Sequence, residues 1–265
     1  MLVQRLLTAL VAIPAVVALI AWAPHWLFTG VVLLLAAAAQ AELYRMFGRV
    51  GIEADRAAGL VLGGLVVLAF ATIRPAPVAL AMSAAVAVAL ALGLLRSAPS
   101  ERAWTGVTLT LLGICYCAWL LGHAVWLRVL PGGRALLLFA LGVTWIGESA
   151  AFLVGRRVGR HRLAPRISPR KTVEGAVAQM VASVLAALVA APFVPLSASG
   201  AAAVGLLLGV VGQLGDLSES FLKRSAGVKD AGGLIPGHGG VLDRLDSLLF
   251  NLPALYYWLY FAGMR

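Results

Sequence analysis

Charge is what this sequence has least of. Only 12% of its 265 residues are charged, while 62% are hydrophobic; ordinary soluble domains carry roughly 25% charged residues. A chain so composed cannot cover itself with a water-compatible surface, which excludes a soluble globular protein and puts the chain in a bilayer. Period-two alternation of apolar and polar residues is also missing, which excludes a transmembrane barrel. Long runs rich in Ala, Leu and Gly point to membrane helices instead. Cysteine is nearly absent: Cys115 and Cys117 stand two apart in an apolar run. Two helical steps of about 100° carry side chains to nearly opposite sides, so neither a disulfide nor a cysteine metal pair is expected there. No soluble domain, heptad run, low-complexity tail or internal repeat is visible. The expected fold is all-α, a polytopic integral membrane protein.

Apolar runs of about 17 to 22 residues mark nine candidate spans, near 6–23, 26–43, 57–73, 76–95, 106–127, 135–154, 174–192, 199–218 and 247–263. The first has a signal-peptide look, with Arg5 ahead of an apolar run ending Ala21-Trp22-Ala23. Its apolar core exceeds the usual length of about 7 to 15 residues and a second span follows at once across Pro24 and His25, so it reads as a retained helix. With a cytosolic N-terminus, all but four of the 21 cations fall on the cytosolic side, the exceptions being Arg74, Arg128, Arg134 and Arg265. That bias satisfies the positive-inside rule and accounts for the net charge of +10 without a nucleic-acid partner. It also puts the two polar stretches of the chain in the cytosol. The opposite loops are short and leave no room for an external domain. Two regions are expected: 1–135, about five N-terminal helices, and 136–265, a catalytic region carrying the cytosolic motifs. Gly205, Gly209 and Gly212 recur along one span, a spacing that lets helices approach closely, within the chain or across a homodimer contact.

The first polar stretch runs from Asp216 to Ser247 and gathers five carboxylates, four cations, a histidine and a run of glycines. If the preceding span continues as a helix, Asp216, Glu219, Ser220, Lys223 and Arg224 share one face. A solvated helix end has the same period, but Asp216 lies within about one or two turns of hydrocarbon, where a carboxylate is costly and marks a site. The segment Lys229 to Gly240 is too rich in Gly and Pro to be helical, and the backbone N–H groups of such a loop can close around phosphate oxygens. Asp243, Arg244, Asp246 and Ser247 then open the last helix. Capping explains one of these aspartates, not both together with Asp216 and Glu219. Several carboxylates without cysteine partners suit a hard cation that prefers oxygen, most plausibly Mg²⁺; the lone His238 suits a phosphate or loop contact better than a zinc site. The second polar stretch, Arg156 to Lys171, holds seven cations. An anionic membrane surface would also select these, but Ser168, Arg170, Lys171 and Thr172 arrive just where a span begins, and a helix N-terminus with Lys and Thr beside it is a phosphate seat. Glu148, about two turns inside the preceding span, is a further candidate.

At these residues the sequence resembles the phosphatidate cytidylyltransferase (CDP-diacylglycerol synthase) family. Ser220, Lys223, Arg224, Lys229, Asp230, Gly232, Pro236, Gly237, His238, Gly239, Gly240, Asp243, Arg244 and Asp246 fit its signature without a gap. Gly155-Arg156 and Ser168-Pro169, Lys171-Thr172 and Glu174-Gly175 resemble its upstream motif. The clear likeness covers about Trp145 to Ser247; Glu148 and Phe152 stand where many relatives have Asp and Tyr. The resemblance implies that the protein transfers CMP from CTP to phosphatidate, with Mg²⁺, at the cytosolic face of a bacterial inner membrane. It further implies Asp216 and Asp243 as principal metal ligands with Asp246 and Glu219 as further ones, Lys171, Lys223, Arg224 and Lys229 on phosphates, and hydrogen bonds from Ser168, Thr172, Ser220 and the Gly237 to Gly240 loop. Two other readings stay open: a CTP-dependent lipid kinase of the polyprenol or dolichol type, which transfers the γ-phosphoryl, and a transporter, whose polar groups would lie near the middle of the membrane.

Overall fold

The computed structural model describes residues 2–96, 98, 100–233 and 239–264. Their helices begin in the order α1 (Leu2–Trp22), α2 (His25–Gly48), α3 (Arg56–Ala71), α4 (Pro75–Arg96), α5 (Glu101–Gly113), a π-helical turn (Ile114–Trp119), α6 (Leu120–Val129) and α7 (Gly133–Val158). A two-stranded hairpin follows, β1 (Arg162–Ala164) and β2 (Ser168–Thr172), then α8 (Val173–Ala190), a 3-10 turn (Ala191–Phe193), α9 (Ala198–Ser225) and α10 (Leu242–Phe261). Local chemistry sets the helix starts. Asp55 accepts the N–H of Ala58 at the head of α3 (3.1 Å), Ser100 accepts that of Ala103 at α5 (3.2 Å), and Thr172 accepts that of Gly175 at α8 (3.1 Å), each satisfying a donor that the helix itself leaves free.

Among the described residues, six apolar segments are long enough to cross a bilayer: His25–Gly48, Pro75–Leu95, Glu101–Val129, Gly133–Val158, Val173–Phe193 and Ala198–Ser225. Length and apolarity therefore support six of the nine expected spans; α3 is apolar but shorter. Large apolar side chains stand exposed along these helices, among them Leu34, Leu80, Val189 and Phe193. Such a surface is ordinary against lipid and unsustainable in water. This is an all-α, polytopic integral membrane protein. Cys115 and Cys117 lie in the π-helical turn as free thiols, Cys117 buried.

The chain forms two compact units, 1–126 with 225–245, and 127–224 with 246–265. In the first, Tyr44 of α2 is fully buried. Its hydroxyl donates to the Thr110 carbonyl (2.7 Å) and accepts from Gln40 Nε2 (2.7 Å), which also donates to the Gly59 carbonyl (2.7 Å). Gly59 and Gly113 leave the space that the Tyr44 ring fills, so α2 is tied to α3 and α5 at one point.

In the second unit the recurrent glycines of α9 pack inside the chain. A Cβ on Gly205 would lie 2.7 Å from the Ser183 carbonyl oxygen and 2.9 Å from Val184 Cα of α8, Gly209 meets Met180 and Ser183, and Gly212 meets Asn251 of α10. Polar bonds cross the same unit, from Asn251 Nδ2 to Thr144 Oγ1 of α7 (2.8 Å) and from Gln213 Nε2 to the Ala176 carbonyl of α8 (3.0 Å). The hairpin pairs Arg162 with Thr172 and Ala164 with Ser168; the basic stretch, in which no strand is expected from the sequence, is held as this short structured element. Substituting Gly205 by Val should lower the melting temperature of the detergent-solubilised protein, because overpacking against α8 backbone costs about 1–3 kcal/mol, more than the roughly 0.5 kcal/mol that replacing a helical glycine returns. Gly142→Ala, at a site with nothing within 4 Å of the new Cβ, should leave the melting temperature unchanged or raise it; equal losses in both variants would contradict this packing account.

Candidate active site

Helix α9 runs unbroken through Asp216 to Ser225, so Asp216, Glu219, Ser220, Lys223 and Arg224 do share one face. Asp216, Glu219 and, from α10, Asp246 bring carboxylate oxygens within 4.8 Å of one another. The helices come this close because Gly215 has no side chain where it meets the backbone of Asp246 and Ser247. Glu219 is completely buried and pairs with Lys223 one turn along. Ser220 donates a long bond to Asp216 (3.5 Å).

The basic stretch reaches the same place. Lys171 of β2 pairs with Asp216 at 2.5 Å, and Arg224 Nε donates to the Ile167 carbonyl in the hairpin turn (3.3 Å). Between ionised carboxylates no more than 4.8 Å apart the repulsion is at least roughly 3 kcal/mol per pair at an effective dielectric of about 20, so a triad of this kind needs cations beside it. Lys171 and Lys223 supply two. Asp246 stands ahead of the apolar part of α10 and accepts the Ser247 N–H (2.8 Å). Burial pushes its carboxyl well above the ordinary carboxylate range, and the charges of Asp216 and Glu148 push the same way. A carboxyl held so is a group waiting for positive charge.

Beside the triad opens a cavity of about 700 Å³ lined by Glu148, Phe152, Arg156, Arg162, Arg170, Lys171, Thr172, Gln213 and Asp216. Four cations and two carboxylates share its wall with Phe152, which is itself mostly exposed. A cavity walled by more cations than carboxylates together with an exposed aromatic ring suits an anionic amphiphile. Thr172 is buried and spends its hydroxyl on capping α8; Gly155 and Gly159 close over it. Ser168 and Arg170 lie on β2. Outside the cavity, Glu174 receives His161 Nδ1 (2.7 Å) and the His161 N–H, which tie the start of α8 to the entry of β1.

The glycine-rich segment belongs to the first unit. Asp243 Oδ2 accepts the N–H groups of Ala231 (3.0 Å) and Gly240 (2.8 Å), and Gly239 takes a left-handed φ of 80° that suits glycine alone at low cost. Lys229 and Arg244 are exposed. Gly237 and His238 lie outside the described residues. Sequence reasoning missed Glu42. This residue of α2 is 1% exposed, and its Oε2 accepts the N–H of Leu242, the first residue of α10, at 2.9 Å. The signal was present: Glu42 is an acid at the end of an apolar span, the argument applied to Asp216 and Glu148.

The family model for the cytidylyltransferase family matches residues 3–262. A Synechocystis sp. protein named phosphatidate cytidylyltransferase is 31% identical over 287 aligned positions, covering 97% of this chain and 96% of its own. The Staphylococcus aureus (strain COL) protein of the same name is 33% identical over 147 positions, 55% of this chain and 56% of its own. An Escherichia coli protein named uncharacterized protein YnbB is 37% identical over 145 positions, 52% of this chain. The match thus spans about half the length of the last two relatives.

The electrostatics of the triad are open to a direct check in protein free of divalent ions. Infrared titration with labelled aspartate should find one carboxyl still protonated above the ordinary carboxylate range. Asp216→Asn removes a negative neighbour of Asp246 and should move that transition to lower pH; an unshifted transition would mean that Asp216 and Asp246 do not feel each other's charge.

Proposed function

The chain belongs to the cytidylyltransferase family, and we propose that within it the protein is a phosphatidate cytidylyltransferase: CTP and phosphatidate give CDP-diacylglycerol and pyrophosphate, in phospholipid biosynthesis. The observation that carries this reading is the Lys171–Asp216 ion pair, which joins a carboxylate triad to a cationic, partly apolar cavity. The phosphate oxygen of phosphatidate attacks the α-phosphorus of CTP, the bond from that phosphorus to the bridging oxygen breaks, and pyrophosphate leaves. The nucleophile is already ionised near neutral pH, so no strong general base is required. What the protein must do is hold two polyanions together, which calls for positioned positive charge.

The donor set of the triad is oxygen only, which fits a hard divalent cation, Mg²⁺ in this reading. Asp216, Glu219 and Asp246 would hold it; when bound, the ion offsets charge on the phosphates and polarises the α-phosphoryl. Lys171 with Arg156, Arg162 and Arg170 would face the lipid phosphate, leaving the acyl chains on the side of Phe152. Lys223, Arg224, Lys229 and Arg244 would serve the nucleotide phosphates, with Ser168, Ser220 and the backbone of the Gly237 to Gly240 loop, His238 included, adding hydrogen bonds. Thr172 would contribute by fixing the N-terminus of α8. The charge bias of the loops supports a site on the cytosolic side of a bacterial inner membrane.

Purified protein in detergent should form labelled CDP-diacylglycerol from cytidine-labelled CTP and phosphatidate only when a divalent ion is supplied. Asp216→Asn should lower turnover by about 10²-fold or more while its melting temperature stays near that of the parent protein. Label entering lipid from the γ-phosphate instead of cytidine would turn the reading to a lipid kinase, and normal turnover by Asp216→Asn would remove Asp216 from the metal site.

A further inference from the structure

A buried carboxylate with one oxygen used and the other idle is the least expected feature of the first unit. Glu42 Oε2 accepts the Leu242 N–H (2.9 Å) across 200 residues of sequence, while Oε1 is buried with no hydrogen-bond partner among the described residues. The carboxylate sits where Gly232 and Gly240 lack side chains; a Cβ at either glycine would overlap it. Charge of this kind is expensive to bury and needs a return.

Its surroundings indicate what the return is. Helix α2 is fixed to α3 and α5 by Gln40 and Tyr44, which stand two residues to either side of Glu42 and so present it from a rigid base. On the other side, Glu42 holds the first N–H of α10, a donor that the helix cannot satisfy internally, and does so from a distant helix instead of a local cap. Asp243 takes the N–H groups of Ala231 and Gly240. Between them, two carboxylates hold backbone N–H groups on both flanks of the glycine-rich segment, at Ala231 and at Gly240 and Leu242. Asp243 travels with that segment, whereas Glu42 ties it to α2.

We infer that Glu42 is a positioning residue for CTP: it sets where Gly240 and the start of α10 stand, and thereby where Arg244, a residue assigned above to the nucleotide phosphates, is presented. This rests on the reading of the protein as a cytidylyltransferase given above. The idle Oε1 makes the inference sharp. Glutamine can keep the acceptor to Leu242 and place its amide NH₂ where no bond is lost, so position and charge separate. Aspartate is one methylene short of Leu242, and alanine removes the contact.

The test is steady-state kinetics with each substrate varied in turn, on protein whose folded fraction has been measured. Glu42→Ala and Glu42→Asp should raise KM for CTP by about tenfold or more and leave KM for phosphatidate within about twofold, while Glu42→Gln should stay close to the parent on both. A purely structural role would lower the active fraction and leave KM for CTP unmoved, and that result overturns the inference; so does a Glu42→Gln variant as impaired as Glu42→Ala, since charge would then be what matters. If Glu42→Ala does not fold, Glu42→Asp carries the comparison. Hydrogen exchange at Gly240 to Leu242 separates this from the wider reading, because it needs no substrate. Faster exchange in Glu42→Asp with parental exchange in Glu42→Gln sustains the positioning role even if the parent protein makes no CDP-diacylglycerol, and equal exchange in all three ends it.

Discussion

A carboxylate at the edge of hydrocarbon has to be compensated, and the second unit is built around that requirement. Asp216 and Glu219 ride on a helix that is otherwise apolar enough to cross a membrane, with Asp246 brought against them from α10. Water cannot solvate such a group well, so each negative charge needs a cation or a donor in place. Lys171 arrives from a hairpin and Lys223 from the next helical turn. Ion pairs of this kind return little net stability once desolvation is counted. Their presence makes physical sense as machinery for handling the charge of a substrate, which is also what transfer between two phosphates demands.

The geometry depends on residues that carry no chemistry. Gly205 and Gly209 let α9 lie against α8, while Gly212 and Gly215 admit α10. In lipid there is no hydrophobic force between helices to draw them together, so close backbone approach has to supply the packing. A stripe that permits this approach therefore also fixes how near the carboxylates come. The hairpin follows the same logic on the polar side: pairing Arg162 with Thr172 turns a run of mutually repelling cations into an element whose lysine points at a defined partner.

In the first unit the same problem is met with backbone donors. Glu42 and Asp243 accept main-chain N–H groups from Leu242, Ala231 and Gly240, leaving the glycine-rich segment anchored at its flanks. Buried main-chain groups must be satisfied somewhere, and here acidic side chains do it without adding bulk. Glycines at 232 and 240 are the counterpart, since any side chain there would occupy the space of Glu42.

The sequence by itself determined the all-α membrane class and the continuous face from Asp216 to Arg224, because hydropathy and helical period act over neighbouring residues. It also marked Asp216 and Asp243 as principal candidate metal ligands with Asp246 and Glu219 as further ones, since acids are conspicuous where charge is rare. Which of these oxygens converge was decided by the tertiary structure: Asp216, Glu219 and Asp246 form the triad, whereas Asp243 binds two loop N–H groups. Tertiary structure also decided that the basic run folds as a hairpin and that Lys171 reaches Asp216. Glu42 shows the boundary most clearly. Its acidity at the end of an apolar run was visible in one dimension, but its partner lies 200 residues away, and periodicity along one helix holds no information about which distant backbone will face it.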